Sequence, residues 1–199
     1  MPINSSLQGI VQELQERARG WRASILNTPP ANACGLAFCH RIADDLDAII
    51  RDIYKLARIQ ALEQSSEHYQ PGRTEVAIIA TGGYGRRELC PFSDVDIAFI
   101  PSEQDNPFVD TLVKRAFRLL VEVIMDATDL RVGYAYRPIE EVPHLDHVTK
   151  TALLDARLIA GDESLLSRSR TALHGSIDPV SFLREKTAER EAMRAKTHT

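Results

Sequence analysis

The chain has 199 residues, of which 44% are hydrophobic and 26% are charged, a composition typical of a soluble globular protein with a sizeable core. Its formal net charge of −4 argues against a general nucleic-acid binder, which we expect to be basic. The sequence has no apolar run long enough for a transmembrane helix and no secretory signal. Cys34, Cys39 and Cys90 lack CxxC spacing, which predicts free thiols in a reducing cytoplasm.

The first third of the chain predicts two helices. Apolar residues at helical spacing predict an amphipathic helix over residues 5–19, and the prolines in residues 27–30 interrupt helical structure. A longer apolar stripe predicts a second helix from about Gly35 to Ser65 that packs on a sheet. We therefore expect residues 1–66 to form an N-terminal helical segment that packs on the core.

Three strands are predicted in residues 67–145, which we expect to form the catalytic core. Short apolar or alternating runs bounded by turn residues predict strands at 75–81, 95–100 and 130–137. Between the second and third strands, Asn106-Pro107 predicts a helix start, with asparagine as the N-cap. The order of strand, turn, strand, helix and strand predicts an α/β sheet covered by helices.

The last part of the chain, residues 146–199, is predicted to be a helical extension. The pattern predicts a helix from His147 through Ile159, a break, a helix over 162–173 and a charged helix over 180–199. The last helix has little apolar surface to bury, so we interpret it as a solvated end or as a lead into a further region.

The stretch Thr81–Ile100, TGGYGRRELCPFSDVDIAFI, contains the strongest functional signals. Gly82 and Gly83 follow a buried strand, and glycines there let the backbone come close to a ligand. Arg86 and Arg87 add positive charge that suits phosphate, although a tight turn with solvated arginines also explains this pattern. The spacing differs from both the dinucleotide-binding and the P-loop motifs.

Two carboxylates, Asp94 and Asp96, follow in the same stretch. Residues two apart in a strand point to the same face, so both carboxylates should share one face while Val95 and Ile97 point to the other. Mg²⁺ is usually bound by one or two carboxylates together with substrate phosphates. A capping pair at the strand entrance is the alternative. Together with the glycines, the pair predicts a site for phosphoryl or nucleotidyl transfer.

The segment GGYGRRELCPFSDVDIAFI resembles the signature of the nucleotidyltransferase superfamily that shares the DNA polymerase β catalytic fold. The form GGYGRxELxPxSDxD is similar to the amino-terminal domain of bacterial PII-protein uridylyltransferases, and residues 126–137, 149–162 and FLREKTAERE extend the likeness over roughly residues 36–192. The resemblance implies an α/β (α+β) polymerase β-type fold: a small mixed sheet flanked by helices, with helical extensions at both ends.

The resemblance also implies roles for residues that match the motif. Gly82, Gly83 and Ser93 match residues that contact the nucleotide phosphates, and Arg86 matches an arginine to which we assign phosphate binding. Arg87 departs from the pattern, because the uridylyltransferases usually have glycine there.

Asp94 and Asp96 match the catalytic, metal-binding carboxylates, which implies Mg²⁺ as the cofactor. The superfamily often has a third carboxylate on a neighbouring strand that can act as a base, but the strand at 130–137 carries no acid. Asp129, at the entrance of this strand, is the nearest candidate for that catalytic role. Tyr134 stands where the family usually has histidine.

The resemblance implies a Mg²⁺-dependent, cytoplasmic nucleotidyltransferase. It would transfer a nucleoside monophosphate from an NTP (UTP or ATP, with UTP preferred) to an acceptor hydroxyl, such as a tyrosine of a PII-type signalling protein, and release pyrophosphate. Two alternatives stay open: a small-molecule or other protein acceptor, and a regulatory module that binds nucleotide without turnover. The negative charge disfavours a nucleic-acid acceptor.

Complete members of that family continue into a phosphohydrolase-type domain with a His-Asp metal motif. His144 and His147 resemble such a motif by letter alone, because the remaining histidines lack the spacing that further ligands would need, and we interpret them as surface residues. The chain is therefore expected to be part of a longer protein or a truncated relative of the family.

Overall fold

The computed structural model describes residues 2–29 and 31–197 of the chain. In these residues the helices flank a four-stranded sheet and continue on both sides of it along the sequence, so the predicted fold class, a small mixed sheet flanked by helices with helical extensions, is confirmed. The main helices are α1 (Pro2–Leu26), α2 (Gly35–Ser65), the short α3 (Gly82–Gly85), α4 (Pro107–Leu120), α5 (Asp126–Thr128), α6 (His147–Leu154), α7 (Glu163–Gly175) and α8 (Pro179–Thr197).

The sheet has the strand order β3-β2-β1-β4. Its strands are β1 (Val76–Ala80), β2 (Val95–Pro101), β3 (Val132–Tyr136) and β4 (Arg157–Gly161). β1 lies in the middle and pairs antiparallel with both β2 and β4. β2 pairs parallel with β3, which makes the sheet mixed and leaves β3 and β4 at its edges.

The predicted helix through Ile159 is wrong at its end, because residues 157–161 form β4. Periodicity alone cannot separate a short buried strand from a helical turn in such an apolar run. The pairing of Ala160 with Ile78 of β1 identifies this run as a strand. Gly161 has φ +92°, and a Cβ there would overlap the Val76 carbonyl, so the tight approach of β4 to β1 requires glycine. β4 thus joins part of segment 146–199 to the sheet, and the three-part division of the chain stays a prediction.

The sheet separates two hydrophobic clusters. One face of β1 and β2 packs against α1, α2 and α4, and the other packs against α6, α7 and the turn of 3₁₀ helix at Ile139–His144. The alternation of strand side chains divides the two sets: Ile78 and Phe99 belong to the first cluster, and Ile79 and Ile100 belong to the second.

Helix boundaries follow local chemistry. The Asn106 side chain accepts hydrogen bonds from the N–H groups of Phe108 and Val109 at 3.0 and 3.3 Å, which confirms the predicted N-cap of α4. α2 has the predicted bounds, whereas α1 extends beyond the predicted 5–19 at both ends. Within residues 2–29 and 31–197, no helix is both long and apolar enough to span a membrane.

Candidate active site

Asp94 and Asp96 lie at the start of β2, on its solvent side. Val95 and Ile97 are only 0% and 2% exposed, while Asp96 between them is exposed, so the predicted alternation is present. Partial burial raises the pKa of the Asp96 carboxyl, and the charge of nearby Asp94 raises it further. A cation beside the pair would favour the charged form of the Asp96 carboxyl.

Two glycines border the Asp96 carboxylate. Gly133 of β3 is its register partner, and a Cβ built there would lie only 2.3 Å from Asp96 Oδ1. On the other side, Gly82 adopts φ +57°, a left-handed conformation suited to glycine, and a Cβ there would lie 3.7 Å from Asp96 Oδ2. The structure therefore brings the Gly-Gly turn and the carboxylate pair, which are a dozen residues apart in sequence, into one site.

The residues present suit a hard divalent cation. Asp94 and Asp96 offer the carboxylate oxygens that Mg²⁺ prefers, and this ion takes its remaining ligands from water and phosphates. Within the described ranges, 2–29 and 31–197, no group of three or more histidine, cysteine, aspartate or glutamate side chains is arranged to hold a metal. The Mg²⁺ site on Asp94 and Asp96 stays a prediction.

Asp129, the predicted third carboxylate, precedes β3. It ends the preceding helical turn with φ 55°, and its N–H donates to the Met125 carbonyl at 3.1 Å. The position beside Asp96 on β3 is Gly133, four residues later. The register therefore places a glycine, not an acid, next to the pair, and the catalytic role of Asp129 stays a prediction.

The Gly-Gly turn forms a single turn of helix after β1. The Thr81 N–H donates to the Asp96 carbonyl at 3.0 Å, which ties the start of the turn to β2, and the Gly85 N–H closes it on the Thr81 carbonyl at 3.0 Å. A Cβ on Gly85 would lie 2.3 Å from the Asp155 carbonyl oxygen. The close packing of the turn on the segment before β4 therefore requires glycine at this position as well.

The arginines that follow the turn are paired with acids. Arg86 contacts both Glu88 and Asp155 at 2.7 Å, and hydrogen bonds to these carboxylates raise its pKa. Arg87, at φ 61°, is ion-paired with Asp44 of α2. This left-handed backbone is a conformation that glycine adopts more readily than arginine does. The phosphate-binding role of Arg86 stays a prediction, since a phosphate would have to compete with two carboxylates.

Ser93 closes the loop that precedes the aspartates. Its Oγ accepts a hydrogen bond from the Cys90 N–H at 3.2 Å, and its own N–H donates to the Cys90 carbonyl at 3.1 Å. Arg22 of α1 donates to the Pro91 carbonyl in the same loop. Ser93 is therefore a turn residue next to Asp94, and its predicted phosphate contact stays a prediction.

Sequence reasoning missed a buried network behind the turn. Asp47 of α2 is only 1% exposed. Its carboxylate accepts a hydrogen bond from the Tyr84 hydroxyl at 2.6 Å. It also accepts hydrogen bonds from both terminal nitrogens of Arg157. The available signal was an acid on the apolar stripe of α2, beside Ala43 and Leu46. Its partners lie 37 and 110 residues away, so the sequence did not reveal them.

The sequence of the chain is similar to those of known uridylyltransferases. The chain is 32% identical over 123 residues, or 59% of its length, to the bifunctional uridylyltransferase/uridylyl-removing enzyme of Erythrobacter litoralis. Enzymes of the same name from Burkholderia lata and Cupriavidus pinatubonensis are 32% and 34% identical over 61% of the chain. The chain is similar to bifunctional uridylyltransferases. The resemblance predicted from the central motif is thereby confirmed.

The likeness is partial. The matches cover 13% to 14% of the length of these relatives, so the chain matches only a small part of each. No family model matches the chain.

Proposed function

We propose that this chain is a Mg²⁺-dependent nucleotidyltransferase domain that transfers a nucleoside monophosphate from an NTP, preferably UTP, to an acceptor hydroxyl and releases pyrophosphate. The observation that carries the proposal is the position of the Asp96 carboxylate between Gly82 and Gly133. This arrangement brings two carboxylates next to glycines. Because glycine has no side chain, a triphosphate can approach the backbone there. The uridylyltransferase name of the relatives supports the choice of UTP.

In this proposal, Asp94 and Asp96 hold the ion, and the glycines of the turn let the triphosphate reach it. Bound Mg²⁺ would supply charge neutralisation on the phosphate oxygens. Gly82 and Gly83 have no side chains that would block the phosphates, and the hydrogen bond from Thr81 to Asp96 fixes their distance from β2. In this proposal Ser93 and Arg86 bind the phosphates, and Arg86 would give up a carboxylate partner to do so. The protein thus acts through position and charge.

The acceptor is a hydroxyl whose proton must leave during transfer. We propose a tyrosine of a PII-type signalling protein, since the relatives are uridylyltransferases of the kind that the central motif resembles. Asp129 is the proposed base. The glycine beside Asp96 supports a second candidate function, a module that binds nucleotide without turnover, because no acid occupies that position on β3.

A two-step experiment separates these functions. The melting temperature of the chain is first measured with each NTP, with and without Mg²⁺, and pyrophosphate release is then measured with a PII-type protein present. Transferase activity predicts Mg²⁺-dependent stabilisation by UTP together with pyrophosphate release. Stabilisation without pyrophosphate release would favour the binding module, and the absence of both would refute the proposal.

A further inference from the structure

The Gly-Gly turn has one side chain that can fix it. Three of the four residues of α3 are glycines, which lose the most conformational freedom when they are ordered. The fourth, Tyr84, is 2% exposed and points away from the site into the core. Whatever holds Tyr84 therefore also holds the turn.

The side chains of Asp47 and Arg157 hold Tyr84 in place. The Tyr84 hydroxyl donates to Asp47 Oδ1 at 2.6 Å. Arg157 Nη2 donates to the same carboxylate at 3.1 Å, and the guanidinium also reaches the Gly85 carbonyl at 3.3 Å and the Tyr84 carbonyl at 3.4 Å. The network thus binds the side chain and the backbone of the turn at once, from α2 on one side and β4 on the other.

We propose that Asp47 and Arg157 are positioning residues for the nucleotide, which act through Tyr84 to keep Gly82 and Gly83 at their distance from Asp96. This inference rests on the proposed function. A buried ion pair contributes little to stability compared with apolar packing, but its directional bonds fix where a flexible glycine turn lies. Loss of the network should therefore lower the affinity for nucleotide even in a variant whose free energy of unfolding is little changed.

The test removes one hydroxyl. Tyr84→Phe keeps the buried ring and deletes the bond to Asp47. Tyr69→Phe is the matched control, because its hydroxyl accepts a bond from Arg58 at 2.8 Å but lies outside the network. UTP affinity with Mg²⁺ is measured by titration calorimetry, and the free energy of unfolding is measured separately on the chain without nucleotide.

We expect Tyr84→Phe to bind UTP about tenfold more weakly, as the loss of one hydrogen bond to a charged acceptor predicts, and Tyr69→Phe to bind like the wild type. In turnover assays, the KM for UTP should rise while kcat stays near the wild-type value, because bound nucleotide restores the turn. Equal affinity in both variants, whatever their stabilities, would overturn the positioning role. A wild-type chain that binds no nucleotide would overturn the proposed function as well.

If Tyr84→Phe does not fold, Arg157→Lys serves as the second variant. It retains the positive charge next to Asp47 but loses the bonds to the carbonyl groups of Tyr84 and Gly85. Weaker UTP affinity in this folded variant would support the role, and unchanged affinity would overturn it.

Discussion

Gly133 is the position where the smallest change should disturb the carboxylate pair most. A Cβ built on Gly133 would lie 2.3 Å from Asp96 Oδ1, whereas ordinary contact begins at 3.4 Å, so Gly133→Ala must push the carboxylate away by about 1 Å. The nearest atom belongs to a short side chain, which can rotate, so stability should fall by only about 1 kcal/mol, the cost of an off-rotamer side chain. A displacement of that size at a reacting centre lowers the rate by about 100-fold.

The assay for Gly133→Ala is Mg²⁺-dependent pyrophosphate release from UTP in the presence of a PII-type protein as the acceptor, with Mg²⁺ titrated at saturating nucleotide. We expect a large loss of rate and a higher Mg²⁺ requirement while the chain stays folded. Gly20→Ala in α1 is the matched control, because a Cβ there meets nothing within 4 Å, and it should behave like the wild type. A Gly133→Ala chain with the wild-type rate and Mg²⁺ dependence would refute the placement of Asp96 as a metal ligand.

Three further predictions concern the turn and its support. Gly85→Ala should destabilise the chain by about 3 kcal/mol, the upper range for overpacking, because the new Cβ meets the Asp155 backbone at 2.3 Å; urea unfolding beside Gly20→Ala measures this, and equal stability would contradict it. Asp47→Ala should cost about 3 kcal/mol, because it leaves the largely buried Arg157 charge without its carboxylate, and a loss below about 1 kcal/mol in the same urea assay would contradict this prediction. Burial, reinforced by the Asp47 charge, raises the pKa of Tyr84 well above its usual range. Above about pH 10, Tyr84 therefore ionises in the unfolded chain but not in the folded chain, and the free energy of unfolding should fall as the pH rises. Tyr84→Phe should reduce that fall in alkaline unfolding curves, and identical curves would contradict the assignment.

The parts of the fold that depend on local pattern could be predicted from the sequence. The bounds of α2, the N-cap at Asn106 and the alternation around Asp96 follow from periodicity and from hydrogen bonding within a few residues. β4 could not be predicted in this way, because only its pairing with β1 distinguishes a strand from a helical turn there.

The candidate site shows the same limit. The sequence indicated which residue types form it, but the contact between Asp96 and Gly133 depends on the register of two strands. The pairing of Arg86 with Asp155 joins residues 69 positions apart, and Asp47 reaches Tyr84 and Arg157 across the core. Contacts of this kind arise from the tertiary fold and leave no local signal in the sequence.

The most direct test of the central claim replaces both aspartates of the pair. Asp94→Asn with Asp96→Asn removes two negative charges while keeping the shape of the side chains, and Glu103→Gln with Asp105→Asn makes the same change at two loop acids with the same spacing. Pyrophosphate release from UTP is measured with a PII-type protein present as the acceptor, with and without Mg²⁺, for both double variants. We predict that the first is folded and inactive and that the second keeps the wild-type rate. Metal-dependent transfer at the wild-type rate in the Asp94→Asn, Asp96→Asn chain would contradict the account.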